Sequence, residues 1–414
     1  MKPAKLFVFV VTLLVMLVLS TNSWAAFEAH PRFTLGEEYN DNIFLDSSGR
    51  EESDWISTIQ PGLNLTYDGS SLNAIIDYSM RFRYYINNSD ENEDRFKEVQ
   101  RGTARLFFFS GRPFTLRLSE TVSSAVLDDR QNNADYNEVQ NRSVLYHSTV
   151  TPEFHWKLTR TFSMVFGYIY DRNDYVDSRG NDTESHEGHF SLVKQISAIS
   201  EVYARFSYLD HDSDDVDDVF KQQTYTLGIN QQLGKRISGT IEGGVSKVDQ
   251  KTDSTLTNSN WLVDLSYHYS APITFTLAFS QDYRVTPQDG LISSQQASVG
   301  AHYGKESLTA SSSIFWNKSD YKRESRQDEW VGIRFDLSRP LAKNLTANFN
   351  TEYRHSKYTD PTEEVDLYTL GGSLAYTYRR FLVRLGYIFR NSDSDLRNGG
   401  YTNNVLSLNG TMNF

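Results

Sequence analysis

From Phe33 to Phe414, apolar residues recur at every second position in segments of about ten to fourteen residues, separated by polar connections. Leu72, Ala74, Ile76, Tyr78, Met80, Phe82 and Tyr84 alternate with Asn73, Ile75, Asp77, Ser79, Arg81 and Arg83. Trp261, Val263, Leu265, Tyr267 and Tyr269 alternate with Asn260, Asp264, Ser266 and His268, and Phe381, Val383, Leu385, Tyr387 and Phe389 with Arg384, Gly386 and Arg390. A helix face repeats every 3.6 residues, so a period of two held this long predicts strands.

The connections alternate between short and long. Short ones fall at 68–71, 110–113, 157–160, 197–200, 234–236, 270–272, 304–306, 338–340 (extending toward 344) and 379–380, several of them with the Gly or Pro a tight hairpin uses. Long ones fall near 40–54, 87–95, 124–141, 173–185, 210–219, 249–258, 286–291, 317–327, 359–364 and 392–400. Nine short and ten long connections predict about twenty strands, or eighteen if the weak patterns near Glu120 and Ser293 are not strands. The expected fold is all-β: a transmembrane up-and-down antiparallel β-barrel, with both termini on the short-turn, periplasmic rim.

The last strand, from Tyr401 to Phe414, places Leu406, Leu408, Met412 and Phe414 on one face and Ser407, Asn409, Thr411 and Asn413 on the other. An alternating final strand that stops on an aromatic looks like the outer-membrane assembly signal of a bacterial barrel; the plainer alternative is a soluble edge strand. At the other end, Lys2 and Lys5 precede an apolar run from Leu6 to Leu19, followed by Ser23, Trp24 and Ala25. That layout predicts a signal peptide, 1–25, cleaved after Ala25, and the run is shorter than the ~20 residues a spanning helix needs. One barrel domain, 26–414, is expected after it, in the outer membrane of a Gram-negative bacterium, in contact with lipid, lipopolysaccharide and the barrel-assembly machinery.

Composition sharpens this. Aromatic content is 14%, with 25 Tyr and 25 Phe. Tyr67, Phe108, Phe114, Trp156, Phe162, Tyr269, Phe275, Tyr303, Tyr378, Phe381 and Phe414 border the short turns and predict an inner aromatic girdle. Tyr84, Tyr170, Tyr208, Tyr283, Trp316 and Tyr353 predict an outer one. Net charge is −12, or −14 once Lys2 and Lys5 leave, which argues against nucleic acid. Absence of Cys excludes disulfides and thiolate chemistry.

On the inward parity, Arg81 and Arg83 lie beside Arg101 and Arg105 of the next strand, with Arg117 on the third. Strands under ~5 Å apart would merge these into one basic patch, either a ladder for an acidic polymer or lumen arginines neutralised by Asp77 and other acids. Arg284 with Asp282, Arg334 with Asp336, and Arg354 with Glu352 look like such internal pairs. His147, Glu153 and His155 share one strand face and Asp264 and His268 another, but period-two spacing brings many pairs together by chance. No Gly-x-Ser-x-Gly, His-Glu-x-x-His or phosphate loop occurs, so no catalytic residue, metal or cofactor is expected. Acidic runs at 87–94 and 210–218 lack the spacing of an EF-hand loop and read as solvated loop acids. The connection 124–141 is the candidate constriction, with Asp128, Asp129 and Arg130 facing whatever passes.

Residues 33–45, above all Glu38-Tyr-Asn-Asp-Asn-Ile-Phe44, and Ile59-Gln-Pro-Gly-Leu63 resemble a family of outer-membrane β-barrel proteins associated with exopolysaccharide production and the PEP-CTERM/exosortase sorting system. The resemblance implies a role in polysaccharide export or matrix assembly, with exopolysaccharide and periplasmic export components as partners, and carries no catalytic residues. Two other readings stay open: a general or sugar-specific uptake porin, and a structural or receptor barrel with a closed lumen.

Overall fold

The computed structural model describes residues 27–127, 136, 138–214, 219–251, 255–286, 290–321, 326–396 and 399–414. The segment read as a signal peptide, Asp128, Asp129 and Arg130, and the end of the 210–218 acidic run lie outside the described residues.

The strands are β1 (Phe27–Asn40), β2 (Asp54–Asp68), β3 (Leu72–Met80), β4 (Phe82–Tyr85), β5 (Gln100–Phe108), β6 (Phe114–Val126), β7 (Arg142–Lys157), β8 (Phe162–Tyr175), β9 (Thr183–Ser197), β10 (Ser200–Ser213) and β11 (Phe220–Leu233). There follow β12 (Ile237–Gln250), β13 (Thr255–Ser270), β14 (Ile273–Thr286), β15 (Gly290–Lys305), β16 (Leu308–Tyr321), β17 (Gln327–Ala342), β18 (Leu345–Thr359), β19 (Thr362–Tyr378), β20 (Phe381–Ser394) and β21 (Tyr401–Asn413). Strands β3 and β4 are halves of one stave, both paired with β2 and broken at Arg81, whose N–H donates to Val99 O at 2.7 Å. The described residues therefore form twenty antiparallel staves, as the alternation predicts, and the weak patterns at Glu120 and Ser293 are both strands.

Strand β1 pairs with β2 on one side and β21 on the other, so the sheet closes on itself and has no edge. Phe33 faces Met412 and Tyr39 faces Leu406 across that seam, and the Phe414 N–H donates to Pro31 O at 2.9 Å.

The seam is latched at the loop rim by the residues that carry the family resemblance. Asn403 Nδ2 donates to Asn40 Oδ1 (2.6 Å) and to Asn42 O (3.2 Å), while Asn42 Nδ2 donates to Thr402 O (3.0 Å). Asn404 donates through its backbone to Asp41 Oδ1 (2.6 Å) and through Nδ2 to Asp41 Oδ2 (2.7 Å). Asn42 and Asn403 are fully buried, which is tolerable because their polar atoms are satisfied.

Period two sets the faces. Phe33, Leu35, Trp156, Leu227, Phe381, Leu406, Leu408 and Phe414 are exposed on the outside, an apolar belt that only lipid can cover, and at the short turns Phe114, Trp156, Tyr269, Phe275, Tyr378 and Phe381 ring it as expected. No helix among the described residues is long and apolar enough to cross a membrane, which says nothing against crossing by strands. The wall is not a uniform cylinder. Outward Ala74, Ile76, Ala104 and Leu106 are buried against Tyr67, Tyr78, Phe108 and Leu118, whereas lumen-facing Ile75 is 53% exposed.

Several long connections are shorter than their polarity suggested, because strand pairing continues above the belt; between β18 and β19 only residues 360–361 are unpaired. Pairing of β13 with β14 instead stops early, at Trp261 opposite Gln281. Beyond it the β14–β15 tip leans into the lumen, where Tyr283 and Leu291 pack with Leu209, Phe220, Val248 and Leu256. Those four are apolar residues on an otherwise polar inner wall, and the tip covers them. This corrects the place of Tyr283: it caps an inner apolar patch and does not join the outer girdle.

Candidate functional site

The lumen is the site. Its wall from β11 to β16 is dominated by small uncharged polar groups: Thr224, Thr226, Asn230, Ser238 and Thr240, then Thr276, Ser298, Ser311 and Ser313, all on the inward parity. Charged and aromatic groups concentrate on the remaining staves.

The predicted arginines share one face, but acids from the loops engage most of them. Arg83 is 5% exposed, meets Glu138 at 2.9 Å, Glu93 at 3.5 Å and Glu38 at 3.6 Å, and lies over the Tyr85 ring at 5.3 Å. Arg81 and Arg101 converge on the same Glu93, at 3.4 and 3.3 Å. Arg117 pairs with Glu153 at 3.4 Å and lies over Phe107. Asp77, the acid expected to neutralise this patch, pairs instead with Arg32 of β1. Arg105 alone of the five is exposed to the lumen with no ion pair among the described residues.

The described residues of the connection between β6 and β7 reach into the lumen. From its root at Leu127 and Asn141 it carries Glu138 to Arg83 and Val139 to a cluster of Ile43, Ile56 and Tyr85. Tyr136 reaches β18, eight staves back around the ring through β1 and β21: its hydroxyl donates to Glu352 Oε1 at 3.5 Å. Arg390 and Arg354 lie over the Tyr136 ring at 5.0 and 5.8 Å, and Leu45, Leu367 and Tyr401 pack round it. Burial opposes ionisation of Glu138, but Arg83 and the arginines beyond it outweigh burial and hold its carboxyl below the ordinary carboxylate range. Of the candidate constriction, Tyr136, Glu138 and Val139 are described and reach into the lumen, while Asp128, Asp129 and Arg130 lie outside the described residues.

Beside it, Phe315 lies flat over Gly332, where a Cβ would sit 2.5 Å from its ring, and meets Trp330 edge-on at 5.4 Å. Arg334 lies over Phe315 and is bound by Glu352, its Nε at 2.8 Å, in place of the Asp336 expected. Arg354, expected to pair with Glu352, stacks over Trp330 at 5.8 Å. Of the scattered acid/base candidates, His147 meets Asp171, Glu153 lies 3.6 Å from His155 and 3.7 Å from His189, and His268 bonds Thr274 at 3.0 Å. No three His, Asp or Glu among the described residues are placed to hold a metal. Leu406, Leu408 and Phe414 of the assembly signal are about half exposed on the outer face, and Met412 shares their parity.

Tyr136, Glu138, Glu93 and the Phe315–Trp330 pair were not singled out from sequence. The loop residues follow no period, and cross-strand neighbours depend on register.

A closed barrel with an apolar, aromatic-rimmed outer belt and a polar lumen is a membrane-spanning barrel of the Gram-negative outer-membrane class. Similar solved structures share that fold at low identity. The FrpB iron transporter of Neisseria meningitidis (F5-1 variant, apoprotein form) has a TM-score of 0.55 at 10% identity, over 96% of this chain and 82% of that one. A mutant of the ferric enterobactin receptor PfeA of Pseudomonas aeruginosa, in complex with enterobactin, gives 0.52 at 9%, over 94% and 81%. No family profile matches the chain, and no curated protein is significantly similar to it.

Proposed function

We propose that the barrel is a water-filled passage across the outer membrane, and that its cargo is exopolysaccharide leaving the cell for the surface matrix. The observation that carries the passage is the inward course of the β6–β7 connection, whose Tyr136 meets Glu352 on the far wall and whose Glu138 meets Arg83 on the near one. A loop that narrows a lumen is meaningful where something moves through it. Barrels of sixteen to eighteen strands leave an aqueous channel and those of twenty-two need a plug, so twenty staves enclose a channel that loops can narrow. Polysaccharide is supported by the hydroxyl- and amide-rich wall and by the Glu38–Phe44 resemblance.

Uptake is the second reading, favoured by the fold shared with proteins named as an iron transporter and a ferric enterobactin receptor. The purified barrel in a planar bilayer should conduct ions. Silence across salt and voltage would defeat both passage readings and leave a closed receptor. Deleting the gene should deplete surface polysaccharide; intact polysaccharide with lost growth on a particular solute would establish uptake instead.

A further inference from the structure

Between the lumen face of β8 to β10 and the inward-leaning β14–β15 tip lies a cavity of about 200 Å³. Asp171, Asn173, Asn181, Thr183, Ser185 and His211 supply its polar lining, Tyr175 an aromatic wall, and Leu209 with Val285 of the tip an apolar edge. The polar groups are held in place before any ligand arrives. His147 Nε2 and Thr149 Oγ1 bond Asp171 Oδ2 at 2.5 and 3.1 Å, Asn173 Nδ2 donates to Thr183 Oγ1 at 3.0 Å, and Ser185 Oγ bonds His211 Nδ1 at 2.7 Å. His211 is only 3% exposed, its ring stacked on Phe220 at 4.8 Å and its Nε2 without a partner. Asp171 Oδ1 makes no hydrogen bond among the described residues, so an acceptor remains for a ligand's donor.

We propose that this pocket holds one neutral sugar ring of the polymer passing through the lumen, a reading that rests on the passage proposed above. The lining selects the class. A single carboxylate repels an anion yet is too few for a divalent cation, which takes six to eight oxygens. An apolar guest would leave Asp171 Oδ1 and His211 Nε2 without a partner, at the cost of an unsatisfied polar group. A neutral pyranose presents hydroxyl donors to Asp171 and acceptors to the amides, and turns a C–H face to Leu209 and Val285.

The test is calorimetry on the full barrel in detergent with glucose, mannose, galactose and the anionic glucuronate, alongside KCl conductance of the same preparation. At least one neutral pyranose should bind, and glucuronate at least tenfold more weakly. Asp171→Asn should lower that affinity tenfold or more, and Val285→Trp, which fills the apolar edge, should abolish it, each in protein that keeps the gel mobility of a folded barrel. A conducting barrel that binds none of the four sugars, or prefers glucuronate, or is indifferent to both substitutions, overturns the pocket alone. A barrel that does not conduct overturns the passage, whatever the sugars do.

Discussion

Asn403 shows how much one side chain can do in a barrel wall. It donates to Asn40 and Asn42 on the first strand and its own neighbourhood, and its Oδ1 accepts from Arg390 Nη1 at 3.0 Å on β20. Replacement by Ala takes a partner from the buried Asn42 O and from half-buried Arg390, and a buried polar group left unsatisfied costs about 1 to 3 kcal/mol. Asn403→Ala should therefore lower the temperature at which the folded band converts on a denaturing gel, whereas Asn409→Ala, lower on the same strand, should do so less; equal effects would mean the latch is ordinary wall. The sequence displayed the residues of the latch as a family-like stretch, but not their purpose. Only register sets Asn40, Asp41 and Asn42 against Asn403 and Asn404 at the other end of the chain.

At the scale of elements, strands were legible and departures from them were not. Alternation in β13 and β14 is regular enough to predict both, yet nothing in it says that their pairing ends at Trp261 and Gln281. The apolar interruptions at Phe220 and Val248 on the polar parity were the available sign that something must cover the inner wall. The β6–β7 connection was singled out by length alone, and its docking is electrostatic as well as apolar. A carboxyl whose pKa is lowered on docking, as at Glu138, favours the docked form at every pH above its ordinary value, and that contribution is lost as pH falls through the lowered one. The part of the conductance that depends on Glu138 should thus stay constant from neutral into mildly acid solution and change only below the ordinary carboxylate range. Glu138→Gln should remove that transition; its survival in the variant would assign it to another group.

For the whole molecule, closure, strand number and the lipid belt follow from pattern, because period two and turn length are local properties. Lumen electrostatics do not, since pairing partners come from loops and from strands far apart in sequence: the pattern leaves Arg81, Arg83 and Arg101 open between a basic ladder and neutralised arginines, and the acids that engage them are Glu93 and Glu138 rather than Asp77. Fixed charge in a lumen sets ion selectivity. Arg105→Gln, removing the exposed guanidinium, should weaken anion preference measured as reversal potential in a salt gradient more than Arg81→Gln does. The reverse order would show that the Glu93 cluster is open in solution.

Both inward elements, the Tyr136 loop and the β14–β15 tip, are rooted at the same rim, the one opposite the termini. A tube narrowed from one end only is asymmetric: anything entering beside the termini would meet plain wall first and the inward elements last.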